Sequence, residues 1–309
     1  MPKSDPGPAS SRVGLVGLGT MGAPMARRMV KAGYSLALYD IDAALTRRLA
    51  DELGATASSS LADLGASCGI VITMLPNAGI VRAAVLGDEP DAGIAARPVD
   101  GAIIIDMSSS YPPATVALGA ELAERGVMLL DAPVSGGVQK AISGELAIML
   151  GGDDEAAMDR AGDVLASMGT VYRTGGLGSG HASKALNNYV SAAGLAAACE
   201  AVIVGKAFGL DPERLTEVIN ASTGRNNSTE KKLKPFILSG DFAKAGFALE
   251  LMAKDVKAAA DLAEELGLSL PGIADARSLW RDASHALGKG ADHTEIYRFL
   301  MGDGGGKPE

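Results

Sequence analysis

The 309-residue chain is 47% hydrophobic, 21% charged and only 4% aromatic, a globular composition long enough for two cores. Its 40 glycines follow no three-residue period, which excludes collagen-like and low-complexity architectures. A net charge of -9, with no basic stripe interleaved with aromatics, argues against a nucleic-acid partner.

Residues 1–10 hold three prolines and no apolar run, and predict a flexible tail with no leader or anchor. The glycine-rich end, 303–309, reads the same way. Val13–Val16 is a short apolar strand, Met21–Ala32 a helix closed by Gly33, and Tyr34–Tyr39 a second strand ending at Asp40. Further strands are expected at Ile70–Met74, Ala102–Ile105, Val127–Leu130 and Ala147–Leu150, and near Val171. Strands alternating with helices predict a doubly wound, mostly parallel sheet, a Rossmann domain over 11–174. After Gly175 the strand signals vanish. Ala182–Phe208 and Phe247–Leu266 read as long helices, Pro212 and Pro271 open two more, and Asp292–Glu295 caps a short last one. The second domain, 175–302, is therefore expected to be all-α. Apolar stretches are interrupted by glycine or charge, so no membrane partner is expected. Cys68 and Cys199 are far apart and sit in no metal-spaced motif. They predict free thiols, a cytoplasmic protein and no metal site.

Gly17-Leu18-Gly19-Thr20-Met21-Gly22 lies between the first strand and the first helix. In that position the glycines serve a tight turn, close approach to a pyrophosphate, and helix-to-strand packing. Asp40 follows about 20 residues on, where a carboxylate grips a ribose 2′-hydroxyl and repels a 2′-phosphate. Ile41 follows it rather than an arginine, so NAD is expected over NADP; Arg47 and Arg48 read as a solvated helix face. Met74-Leu75-Pro76-Asn77 and Asp106-Met107-Ser108-Ser109 follow other strands at the same sheet edge, which makes them candidate cofactor loops.

Gly178–Asn188 is the most informative stretch. On a helix His181, Lys184 and Asn188 fall at i, i+3 and i+7 and share one face. Helix geometry alone leaves two readings open, a buried functional face or a solvent-facing stripe.

Four motifs together resemble the β-hydroxyacid dehydrogenase family, whose members include 3-hydroxyisobutyrate dehydrogenase and tartronate semialdehyde reductase. They are Gly17–Ala26, Asp131-Ala132-Pro133-Val134-Ser135-Gly136-Gly137, Gly178–Asn188 and Lys254-Asp255, and the likeness runs over Arg12–Leu300. The resemblance implies a reversible NAD-dependent oxidation of a small 3-hydroxy acid to a semialdehyde or keto acid. It places Lys184 on the family's catalytic lysine and Lys254 at the nicotinamide end of the cofactor, with Asp255 in support. Removing the hydroxyl proton needs a general base within hydrogen-bond reach, and a lysine serves when its pKa falls towards neutrality. Ser135, Gly136 and Gly137 can form a small-residue nest for a substrate carboxylate, and Asn188 can orient the substrate. His181 joins the expected substrate-facing residues, as does Phe247, which falls on the Lys254 face of its helix.

Ser109 stands where many relatives carry threonine, and His181 departs from the hydroxyisobutyrate branch. Asn220–Glu230 reads either as a pocket wall with Arg225 as an anion grip or as an ordinary interhelical loop. Two other functions compete, an imine reductase-like enzyme, which is expected to lack this lysine, and a non-catalytic cofactor-binding scaffold. A homodimer or homotetramer is expected because relatives associate.

Overall fold

The computed structural model describes residues 12–88 and 91–302, and the expected tails, 1–10 and 303–309, lie outside them. The chain divides into two compact units, 1–184 and 185–309.

The first unit holds the strands. These are β1 (Arg12–Val16), β2 (Ser35–Tyr39), β3 (Thr56–Ala57), β4 (Ile70–Thr73), β5 (Gly87–Asp88), β6 (Asp91–Ala92), β7 (Ile103–Asp106), β8 (Met128–Asp131), β9 (Val134–Ser135), β10 (Leu146–Gly151) and β11 (Gly169–Gly175). The helices between them are α1 (Gly22–Lys31), α2 (Ala43–Leu53), α3 (Leu61–Ser67), α4 (Ala78–Leu86), α5 (Pro112–Ala123), α6 (Gly137–Ser143) and α7 (Glu155–Leu165). The main sheet runs β11-β10-β8-β7-β4-β1-β2-β3, with β9 beside β10. The six strands from β8 to β3 are parallel. The order reverses between β1 and β4, the switch point at which open α/β sheets bind ligands beyond their carboxyl ends. β10 runs antiparallel to β8 and carries β11 parallel to itself, so this edge of the sheet is turned round.

Both faces of the sheet are covered, and the side chains show why. β4 and β7 are buried along their whole length, as strands covered on both sides must be. Their residues alternate between two cores: Ile70, Ile72, Ile103 and Ile105 pack on one side, Val71 and Ile104 on the other. A period of two on β-branched residues is what a two-sided sheet demands.

The second unit is helical. It contains most of α8 (Ser179–Phe208), then α9 (Pro212–Ala221), α10 (Asn227–Lys231), a π-helical segment at Leu233–Leu238, α11 (Leu249–Glu265), α12 (Pro271–Leu287) and α13 (Ile296–Leu300). Asp211 caps α9 through the Arg214 N–H, with Pro212 at the first helical position. Asp292 and Glu295 form a reciprocal capping box ahead of α13. Trp280 is fully buried among Leu195, Cys199, Val202, Met252 and Val256.

One expectation needs correction here. α8 is long and apolar enough by length and composition to cross a membrane, contrary to the reading of its apolar stretch as too broken. Alanine and glycine fill it without a charge cluster, and Ala192, Leu195, Ala198, Cys199 and Val202 bury one of its faces in a protein core. The division into units lies at 184/185, where the sequence suggests 174/175. The difference is the first turns of α8, whose backbone and His181 side chain are hydrogen-bonded into the sheet unit.

Candidate active site

The turn after β1 is built by close backbone approach. Gly17 has φ +93, and a Cβ there would sit 2.3 Å from the Met74 carbonyl oxygen. A Cβ on Gly22 would lie 1.9 Å from the Gly17 carbonyl oxygen. Only glycine fits either place. Gly19 is different, since a Cβ there would meet nothing within 4 Å and the residue is exposed. The open side of the turn therefore faces outward. No side chain caps the N-terminus of α1 and no acid lies in its first turn, whereas α2, α3, α4 and α7 are capped by Asp42, Ser60, Asn77 and Asp154. Uncapped amides at the positive end of a helix dipole are suited to a pyrophosphate. The residues present thus fit the phosphates of a dinucleotide.

Asp40 ends β2 beside this turn. Its carboxylate accepts from the Leu18 N–H at 2.7 Å and from the Asp42 N–H at 2.9 Å. A carboxylate offers about four lone-pair directions, so acceptor capacity remains for a ribose hydroxyl. Ile41 is 97% exposed and can lie against an adenine ring. Leu18 and Met21 meet the turn through their backbone only, because the Leu18 side chain is buried in the core and that of Met21 packs against it. Thr20 is exposed.

The loop after β4 leads into α4. Met74 and Leu75 pack against the two cores, Pro76 and Asn77 are exposed, and Asn77 caps α4 through the Ile80 N–H at 3.0 Å. The loop after β7 is tied to it, since Ser108 Oγ accepts from the Leu75 N–H at 2.9 Å. Ser109 is half-buried between two buried serines. The three expected cofactor loops therefore stand together at the carboxyl ends of β1, β4 and β7.

Ser135 ends β9 and Gly136 and Gly137 follow with φ +133 and +67, both exposed at the start of α6. This leaves backbone N–H groups and one hydroxyl accessible to an anion. Lys184 is half-buried on α8, one turn beyond His181. A further turn along, Asn188 is buried and donates from Nδ2 to Asp255 Oδ2 at 2.6 Å. Asp255 Oδ1 lies 3.7 Å from Lys254 Nζ. One buried carboxylate therefore faces both Asn188 and Lys254.

Two expected substrate residues take other places. The His181 side chain is fully buried, with both ring nitrogens facing protein atoms, Thr115 Oγ1 at 2.9 Å and the Ser108 carbonyl oxygen at 3.2 Å. It has no nitrogen left for a substrate. Phe247 lies two residues ahead of α11 rather than within it, packed edge-on against His293 at 5.6 Å. Its backbone is engaged as well, donating to Asp292 Oδ2 and accepting from the His293 N–H. Of the two readings of Asn220–Glu230, the structure shows a helix end followed by a cap. Asn226 and Thr229 form a capping box for α10, and Arg225 faces Glu230 at 3.8 Å from an exposed position. Sequence reasoning passed over Thr73 and Thr115 and gave Asp106 and Asp131 no role of their own within the motifs that hold them; all four are buried polar residues around the His181 ring and its loop. An acid closing each of two apolar strands was the available signal.

A glycine turn at the head of an uncapped helix, an acid after the next strand and a sheet switch point beside the turn define a dinucleotide-binding fold. The family profile for the NAD-binding domain of 6-phosphogluconate dehydrogenase matches residues 12–176. That for the NAD-binding domain of NADP-dependent 3-hydroxyisobutyrate dehydrogenase matches 178–300. The chain is 36% identical to the 2-(hydroxymethyl)glutarate dehydrogenase of Eubacterium barkeri, over 92% of each chain. It is 35% identical to the L-threonate dehydrogenase of Cupriavidus necator, over 95% of this chain and 97% of that one. Among solved structures, the Mycobacterium tuberculosis 3-hydroxyisobutyrate dehydrogenase with L-serine superposes with a TM-score of 0.85 at 30% identity, covering 94% of this chain and 99% of that one. The chain belongs to the β-hydroxyacid dehydrogenase family.

Proposed function

We propose that this chain reversibly oxidises a small 3-hydroxy acid, with NAD as its preferred dinucleotide and Lys184 as the general acid and base. The observation that carries the reading is the buried Asp255 carboxylate. It accepts from Asn188, on the helix of Lys184, and faces Lys254 as well. Burying a carboxylate is unfavourable unless its partners are needed where it holds them.

NAD, when bound, supplies the hydride acceptor. The glycine turn and the start of α1 would hold its pyrophosphate, Asp40 its ribose, and the 74–77 and 106–109 loops would flank it. In the oxidative direction Lys184 Nζ, uncharged, takes the hydroxyl proton as the substrate's C–O bond becomes a carbonyl. In the reductive direction the ammonium polarises that carbonyl and returns the proton. Asn188 hydrogen-bonds the substrate near Nζ. Ser135 Oγ and the Gly136 and Gly137 N–H groups bind the substrate carboxylate. The test is NADH absorbance with a panel of small hydroxy acids and both cofactors. Turnover of at least one hydroxy acid supports the proposal, and cofactor binding without any turnover identifies a scaffold instead.

The preference for NAD rests on Asp40, whose charge would oppose a 2′-phosphate. Asp40→Ser is expected to lower the NAD-to-NADP ratio of kcat/KM by about tenfold, the equivalent of ~1.4 kcal/mol. An unchanged ratio counts against the ribose role. A second copy of the chain is proposed as the partner that covers Val190, Val204, Phe208 and Val218, which are 62–83% exposed. A cytoplasmic location accords with two buried free cysteines, whose thiols burial pushes up, that of Cys199 to about 12.

A further inference from the structure

Beneath the first turn of α8, within the sheet unit, lies a buried polar cluster that takes no part in the chemistry above. His181 Nε2 points at the Ser108 carbonyl oxygen, which can only accept, so Nε2 carries a hydrogen. Nδ1 meets Thr115 Oγ1 at 2.9 Å. A carboxylate stands beyond each nitrogen, Asp106 Oδ2 at 3.6 Å from Nε2 and Asp131 Oδ2 at 3.6 Å from Nδ1. Both acids are almost wholly buried.

The same cluster is a mechanical link. Asp106 Oδ1 accepts from Thr73 Oγ1 and the Ser108 N–H, and Oδ2 accepts from Ser110 Oγ. Ser108 Oγ reaches the Leu75 N–H in the neighbouring loop. On the other side Asp131 accepts from the Gly178 N–H at 2.8 Å and the His181 N–H at 2.7 Å, which pins the start of α8 to the end of β8. Lys184 follows on the next turn of the same helix face.

We propose that His181 is the positioning residue for Lys184, its ring locking the helix turn that carries the amine to the loop after β7 and, through Ser108, to the loop after β4. The inference rests on the reading of Lys184 as the acid and base. The groups facing the ring are Asp106 from β7, Ser108 from the loop after it, Thr115 from α5 and Asp131 from β8. A glutamine could make both side-chain hydrogen bonds of His181, whereas a leucine of similar bulk makes neither.

His181→Leu is expected to lower kcat about tenfold or more while KM for NAD and the hydroxy acid change less than about threefold, the signature of a displaced acid–base group. His181→Gln, which keeps both side-chain hydrogen bonds, is expected to restore most of that loss. Thr115→Val, which removes the hydroxyl facing Nδ1, is expected to lower kcat in the same direction and serves where His181→Leu does not fold. An unchanged kcat in His181→Leu, or a His181→Gln variant no better than His181→Leu, overturns the proposal. Turnover retained by Lys184→Ala would overturn the functional reading separately.

Discussion

Lys184→Ala is expected to lower kcat by roughly a thousandfold, within the range that a positioned general acid–base group contributes. The residue stands one turn beyond a helix start pinned to the sheet, and one turn before an asparagine held by a buried carboxylate. Its neighbours on both sides are therefore fixed, and truncation removes the amine without loosening the helix. The residues assigned to the dinucleotide phosphates and ribose lie on other elements, so NADH affinity, measured by fluorescence titration, should stay within about threefold of wild type. Loss of cofactor binding as large as the loss of turnover would show that Lys184 is a cofactor ligand. Lys184→Arg separates charge from chemistry. It keeps a cation but cannot give up a proton near neutral pH, so it should be nearly as inactive as the alanine variant.

Gly180→Ala is expected to lower stability sharply. A Cβ at this position would lie 2.2 Å from the Met149 carbonyl oxygen, 2.9 Å from Asp131 Oδ2 and 3.0 Å from the Asp131 carbonyl oxygen. Two of the three are backbone atoms of adjoining strands and cannot swing away, so α8 must lift off the sheet. The cost should be about 3 kcal/mol, which lowers the thermal midpoint by roughly 10 °C. Gly162→Ala is the control, because a Cβ on that α7 glycine meets nothing within 4 Å. It should be neutral or slightly stabilising, since alanine is the better helix former. Equal midpoints for the two variants would mean that the start of α8 is not clamped as described.

Much of the cofactor half was legible in the sequence because its signals are local. Gly17, Gly22 and Asp40 owe their roles to one turn and the strands beside it, and the buried strands announce themselves by β-branched runs. The reversal of β10 was not legible. An apolar strand has the same alternation whichever way it runs, and β10 meets β8 by a single residue pair. Helix periodicity put His181, Lys184 and Asn188 on one face but could not say what that face meets. The ring of His181 is buried by Thr115 and Asp131, 66 and 50 residues earlier in the chain. The Asn188–Asp255 contact spans 67 residues. It was anticipated only as a supporting role for Asp255 implied by resemblance, since nothing near either residue encodes the other. Phe247 was misplaced for a smaller reason, a helix start two residues later than its apolar pattern suggests.

The bare N-terminus of α1 bears on how this protein is handled. On the reading of this turn as a phosphate site, its backbone would not distinguish the pyrophosphate of a dinucleotide from any small tetrahedral oxyanion. Inorganic phosphate or sulfate in a buffer competes for the same spot, so affinities measured in such salts understate the grip on the nucleotide. Chloride or a zwitterionic buffer, lacking that geometry, leaves the cradle to its proper guest.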